Sequence, residues 1–264
     1  MIWTLYRLEL FKMVKRLATW VTLICYGVLT AFTFGAMYYN SVNHMDLYFG
    51  LPDAWPLVLS NSVTVVGIFA GALLILLVTN EFDWRTGRQN IIDGLSRSQW
   101  FTAKLLLLPT LFIMFYVLHI SIVGTLVWLG TDPARENAMD ISSTQLLAVC
   151  GAAIGGISFM SIACFISFIT RSTGPALGIT FIYMFIEALI TRTLRGLDLE
   201  KAADFFPMQV HAALLNFNQY YPEGTRQRGW TTIDWDTPNL FATGIAWIIV
   251  FLTTAWLVYR KRDL

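Results

Sequence analysis

Residues 54–80 read AWPLVLSNSVTVVGIFAGALLILLVTN, an unbroken run without Asp, Glu, Lys or Arg. A helix needs about 20 apolar residues to cross a hydrocarbon core about 30 Å thick, so this run is long enough to span a bilayer. Outward from it, residues 17–45, 105–131, 141–170 and 237–259 are equally free of charge. A sixth stretch begins at Ser172, carries Glu187 and ends near Arg192. The reading is an all-α membrane protein, one transmembrane domain over 1–264, with spans at about 18–40, 57–80, 101–129, 142–169, 174–192 and 239–259.

Composition agrees. Of 264 residues 56% are hydrophobic and 13% charged, where a soluble domain carries roughly 25% charged. Mean hydropathy is +0.59. The net charge of +1 leaves no basic footprint for nucleic acid, and the apolar content excludes disorder. Cys25, Cys150 and Cys164 each sit in an apolar run without a CxxC pair, and His44, His119 and His211 are scattered without HExxH, so no metal site is expected. The chain has no GxxxxGK[ST], so it cannot cradle a nucleotide phosphate by that route. No catalytic residue and no cofactor are therefore assigned to it.

An even number of spans puts both termini on one side, and basic residues choose the side. Arg7, Lys12, Lys15, Arg16, Arg85, Arg88, Arg97, Lys104, Arg171, Arg260, Lys261 and Arg262 fall on one side; Arg135, Arg192, Arg195, Lys201, Arg226 and Arg228 fall on the other. Twelve of the 18 basic residues thus accompany the termini, which predicts a multi-pass protein with both termini cytoplasmic.

Three segments outside the spans, and a few residues within them, carry information. Residues 2–17 place Ile2, Trp3, Tyr6, Leu10, Met13 and Leu17 on one helical face with Arg7, Lys12 and Lys15 opposite, the pattern of a retained interfacial helix in contact with membrane lipid. The loop over 81–104, EFDWRTGRQNIIDGLSRSQWFTAK, holds two capping-box spacings, Thr86 with Gln89 and Ser96 with Gln99, separated by Asp93-Gly94 as a helix stop. It predicts a short capped helix, a turn, and the start of the third span, with 81–100 a docking element for a cytoplasmic partner. The outer segment, 193–238, contains Phe205-Phe206-Pro207 and then Met208, Val210, Leu214 and Phe217, suited to short helices opened by Pro207. Its Tyr220-Tyr221, Trp230 and Trp235 resemble an interfacial aromatic belt. In the fourth span, Gly151, Gly155 and Gly156 give small-residue spacing for close backbone contact, within the chain or between copies. Glu187 is the one acid inside a span and therefore a candidate for the transport path, although its distance of about 24 Å from Arg171 sets it near the outer headgroups.

An intramembrane protease of the rhomboid type also has six spans, a GxS motif on the fourth and a Trp-Arg pair, matched here by Gly156-Ile157-Ser158 and Trp84-Arg85. The likeness fails because the sixth span has no histidine to act as base and Trp84-Arg85 falls on the cytoplasmic side.

The order of parts resembles the permease subunit of type-2 ATP-binding-cassette (ABC) exporters, mostly bacterial. The resemblance covers the whole chain and is most specific in the loop, at Glu81, Thr86-Gly87, Ile91-Ile92, Gly94-Leu95-Ser96-Arg97 and Lys104; the family's usual Gly-Thr order is reversed here. It implies a bacterial inner-membrane exporter of two permease copies and two separate ATPase subunits that bind ATP and Mg. It also makes the loop a coupling helix, with Glu81, Arg85, Thr86, Gly87, Arg88, Ile91, Ile92, Asp93, Gly94 and Arg97 as contact residues. The substrate path would lie between the copies. A rival of another class is a membrane anchor or assembly scaffold that recruits a cytoplasmic partner through the same loop without transporting anything.

Overall fold

The structure, a computed structural model, describes residues 2–43, 49–60, 63–84, 86–134, 140–215, 233 and 235–261. They form helices and no strands. Six helical stretches are long and apolar enough to cross a membrane: Leu17–Asn43, Trp55–Asp83, Arg97–Leu129, Ser143–Thr170, Thr173–Gly196 and Thr237–Lys261.

In chain order the helices are α1 (Ile2–Lys15), α2 (Leu17–Asn43), α3 (Trp55–Leu59), α4 (Val63–Asp83), α5 (Thr86–Ile92), α6 (Arg97–Leu105), α7 (Leu107–Leu129), α8 (Ser143–Thr170), α9 (Thr173–Gly196), α10 (Glu200–Asp204), α11 (Pro207–Leu214) and α12 (Thr237–Lys261). Helices α4 and α8 are innermost, and α8 packs most extensively against α4 and α12. Their apolar side chains occur all round the helix, as expected of a helix covered on most faces by its neighbours. Helices α2, α9 and α12 leave most of their apolar surface uncovered by the chain itself, including Val28, Phe32, Ile182, Phe185 and Ile249. Such a surface has only lipid or another protein as its partner.

The glycine spacing of α8 serves contacts within the chain. A Cβ on Gly156 would stand 2.6 Å from Cδ2 of Phe112 on α7, and one on Gly155 would stand 3.3 Å from Nδ1 of His211 on α11. Gly151 is buried on the same helix. The alternative of a seam between copies is not what Gly155 and Gly156 are used for, because both approaches are already filled by α7 and α11.

Helix starts follow local chemistry. Ser142 and Ser96 cap α8 and α6, each accepting from the backbone of the first turn while Gln145 or Gln99 accepts from the cap residue's own N–H. Helix α6 gives way to α7 at Leu106, so the third span is two helical pieces end to end.

Candidate functional site

Helix α1, the 81–104 loop, the start of α9 and the last turns of α12 converge on one end of the bundle. The connection is direct: Arg97 Nη1 donates to the Arg260 carbonyl at 2.9 Å, Arg16 Nη1 reaches the Leu77 carbonyl at 3.5 Å, and Thr79 and Thr173 hydroxyls lie 2.7 Å apart. Six of the basic residues grouped with the termini by sequence, Lys12, Arg16, Arg97, Lys104, Arg171 and Arg260, are thus gathered at the same end.

At its centre is a charge cluster that no single segment of the sequence reveals. Lys104, with no exposed surface, pairs with Glu9 and lies 2.7 Å from a Glu81 oxygen; Lys12 Nζ is 3.1 Å from Glu9 and 3.3 Å from Glu81. The other Glu81 oxygen accepts from Trp100 Nε1 at 3.0 Å. Two ammoniums face two carboxylates, so charge balances, and the indole donor occupies the remaining acceptor. Burying ions this way is tolerable only when every charge is paired and hydrogen-bonded. At Lys12 partial burial favours the neutral amine, but the Glu81 and Glu9 carboxylates outweigh it and raise its affinity for the proton. Around the cluster Trp100, Phe82, Phe101, Phe168 and Tyr259 form an aromatic wall, with Trp100 and Tyr259 stacked at 5.1 Å and Lys104 over the Trp100 ring at 5.3 Å.

Helix α5 rests on this wall. Gly87 is buried, and a Cβ there would come 3.4 Å from Trp100 Cζ2 and 3.6 Å from the Glu81 carbonyl, so the first turn of α5 runs close over the cluster. The far end closes as the Asp93-Gly94 signal predicts. Gly94 has φ +103°, a region costly for residues with a Cβ, its N–H donates to the Ile91 carbonyl at 3.1 Å, and the Leu95 N–H donates to that of Asn90 at 3.1 Å. Ile91 packs inward against the core, whereas Ile92 is 67% exposed, and Trp84, Thr86 and Asp93 are exposed as well.

Four expectations are corrected here. The first capping box does not form: Thr86 is the first helical residue and its hydroxyl donates to the Glu81 carbonyl at 3.4 Å, while Gln89 donates to the Asp93 carboxylate at 2.9 Å, the nearer partner one turn on. Glu81 and Ile91 are not surface contacts, because the first is held inside by two lysines and a tryptophan and the second faces the core. Lys12 does not turn towards headgroups, since Glu9 and Glu81 offer it an anionic socket. Likewise Tyr6, Leu10 and Met13 of α1 pack on the bundle, with the Tyr6 and Thr110 hydroxyls 2.6 Å apart, and Ile2, Trp3, Leu8, Phe11 and Val14 are the uncovered apolar side chains. Arg85, like Phe217, Tyr220, Tyr221 and Trp230, lies outside the described residues, as does the side chain of Arg88.

At the opposite end, Glu187 has a structural assignment. Its carboxylate accepts from the Met208 backbone N–H at 2.6 Å and from the Tyr183 hydroxyl, so it caps the N-terminus of α11, which Pro207 opens as expected. Arg195 steadies the same corner through Asp204 at 3.2 Å and Gln209 at 2.9 Å. His211 Nδ1 lies 2.7 Å from the Gly155 carbonyl, and burial pushes its imidazole down to about 4 against the opposing pull of that hydrogen bond. Among the described residues, no group of three or more His, Cys, Asp and Glu side chains is placed to hold a metal ion.

Fold and site together define an all-helical chain with six helices long and apolar enough to span a membrane, built round a buried charge cluster at one end. It belongs to the family described as "Protein of unknown function (DUF2705)", which matches residues 21–264. No curated protein matches the sequence.

Proposed function

We propose that this chain is the permease subunit of an ATP-driven exporter in the bacterial cytoplasmic membrane, with both termini in the cytoplasm and α5 as the helix that receives force from a separate ATPase. The observation that carries the reading is α5 itself. It is a short helix with its own glycine-dependent stop, seated on a buried ion cluster that ties α1, α4 and α6 together, and it presents Ile92 outward. A push on α5 would act on the end of α4 through Gly87 and the Glu81 carbonyl, and on α6 through Trp100. The positive-inside distribution favours the cytoplasm for this end.

In this reading two permease copies enclose the path, and two ATPase subunits supply ATP and Mg. Opening and closing require the ATPase pair to differ in affinity for the two states, since a ligand with equal affinity for both shifts nothing. Glu187, engaged as a helix cap, contributes to the outer corner and not to the path. The test is reconstitution with the candidate ATPase in vesicles. Expected are no ATP hydrolysis by this chain alone, hydrolysis by the complex, and impermeant-maleimide labelling from outside at Asp53→Cys but not at Ser96→Cys in a background free of native cysteines. Hydrolysis by the isolated chain, or outside labelling of Ser96→Cys, overturns the reading; an ATPase complex that forms but moves nothing points to the scaffold.

A further inference from the structure

Three recesses follow one another along the outside of the bundle, each sharing wall residues with the next, two between α9 and α12 and the third at the start of α12, and their polarity is graded. The deepest, of about 210 Å³, is walled by Ile162, Ile166 and Ile179 and shares Tyr183 and Phe251 with the next, of about 290 Å³, which runs past Ile186 and Ile190 to Trp247 and Phe205. Phe205 in turn is shared with a third, of about 420 Å³, bordered by Trp235, Asp236, Asn239 and Thr243. The open walls of the first two are apolar, because Glu187 and Tyr183 beside the middle one bond to each other, Glu187 also accepts from Met208, and the Thr170 hydroxyl in the deepest donates to the Ile166 carbonyl, while the third sets a carboxylate, an amide and a hydroxyl at the mouth.

The helices impose this order. Asn239, Thr243, Trp247 and Phe251 repeat every four residues, so they form one stripe on α12 that runs from polar to aromatic. Ile179, Tyr183, Ile186 and Ile190 make the facing stripe on α9, and the eleven steps from Ile179 to Ile190 cover about 16 Å along the helix. Half of a hydrocarbon core about 30 Å thick is about 15 Å, so the furrow is as deep as one leaflet. Its mouth lies at the α10–α11 end, away from the termini, where Trp247 Nε1 fixes the Phe205 carbonyl at 2.9 Å and the Phe205 and Trp235 rings meet at 4.7 Å.

We infer that this furrow holds one phospholipid of the leaflet nearest α10 and α11, its acyl chain along α9 and α12 and a cationic ammonium headgroup at the mouth. The chain is identified by length and by walls whose few polar groups are already bonded within the protein. The headgroup is identified by complementarity, because aromatic faces beside a carboxylate, here Trp235 and Phe205 with Asp236, suit an ammonium and disfavour a purely anionic head. The inference uses one copy of the chain and no ATPase, so it stands or falls separately from the exporter reading.

The test uses the full chain in nanodiscs of phosphatidylglycerol doped with phosphatidylcholine that carries a photoactivatable diazirine in its acyl chain, followed by mapping of labelled peptides. Label should concentrate on residues 179–190 and 239–251, above the uncovered face of α2 around Val28 and Phe32. Ala202→Trp, which puts an indole into the middle recess, should remove that excess, and Asp236→Asn should lower it about threefold for the choline lipid but not for a diazirine phosphatidylglycerol. Label spread evenly over α2, α9 and α12, or an excess unchanged by Ala202→Trp, overturns the site. An excess that both lipids share equally before and after Asp236→Asn overturns the headgroup assignment. Unaltered thermal unfolding of both variants shows that the loss is one of binding.

Discussion

The Met208 backbone N–H donates to the Glu187 carboxylate at 2.6 Å, so a side chain from the middle of one long helix satisfies the exposed start of another. Helix N-termini leave four N–H groups without intrahelical partners, and inside an apolar setting water cannot take them. An acid in a membrane-crossing stretch is costly, and here its cost is offset by a fixed set of donors.

Replacing it should therefore affect stability first. We expect Glu187→Ala to destabilise by about 1–3 kcal/mol, the penalty for leaving buried polar partners unmade, which lowers the midpoint of thermal unfolding by several degrees. Glu187→Gln, which still accepts at one oxygen, should lose less. Equal losses in the two variants, measured by thermal unfolding in detergent, would show that the cap is not what Glu187 provides.

The ion cluster at the other end should respond non-additively. Lys104→Met leaves Lys12 alone to face both Glu9 and Glu81, one ammonium against two carboxylates, and removal of one partner from a buried pair typically costs about 3–5 kcal/mol. Combining it with Glu9→Leu removes the excess negative charge and leaves Lys12 and Glu81 as a balanced pair, so the double variant should be more stable than Lys104→Met alone. A double-mutant cycle read by denaturant or thermal unfolding gives the coupling, and strict additivity would contradict it.

Adjacent isoleucines on α5 should separate folding from docking. Ile91 packs on the core, so Ile91→Asp should lower stability by about 2 kcal/mol or more. Ile92 is 67% exposed, so Ile92→Asp should leave unfolding unchanged and weaken capture of the ATPase proposed above. Unfolding midpoints and co-purification are the two measurements; an Ile92→Asp chain that still binds and transports like the parent makes α5 a bystander.

His211 predicts a pH dependence with a definite sign. Burial lowers its folded value to about 4, beneath the roughly 6.5 of a free imidazole, so between these values the unfolded chain binds a proton that the folded chain does not. Stability is full above about 6.5 and declines as the pH falls towards about 4. The decline should be shallower in His211→Gln, measured as unfolding midpoint against pH.

Six long apolar helices were legible in the sequence because hydrocarbon imposes a length on each run independently of the others, and the runs are bounded by charge. The stop at Gly94 and the cap at Ser96 were legible for the same kind of reason, since turn chemistry acts over three or four residues. The box expected from Thr86 and Gln89 failed within that range because the helix already includes Thr86, whose hydroxyl turns back to the Glu81 carbonyl, and Gln89 donates onward to Asp93.

Tertiary structure decided what the charges and small residues are for. Glu9 and Lys104 are separated by 95 positions and Lys12 and Glu81 by 69, so nothing in either neighbourhood reveals that they meet. A buried carboxylate and a solvated one have the same local sequence, and only the approach of α1 to α4 and α6 distinguishes them. In the same way Gly155 and Gly156 announce a close contact without naming the partner, which α11 and α7 supply. Sequence alone determined where the backbone satisfies itself along each helix; which side chain satisfies which was left to the helices' packing, because pairing depends on distances in space that the order of residues does not contain.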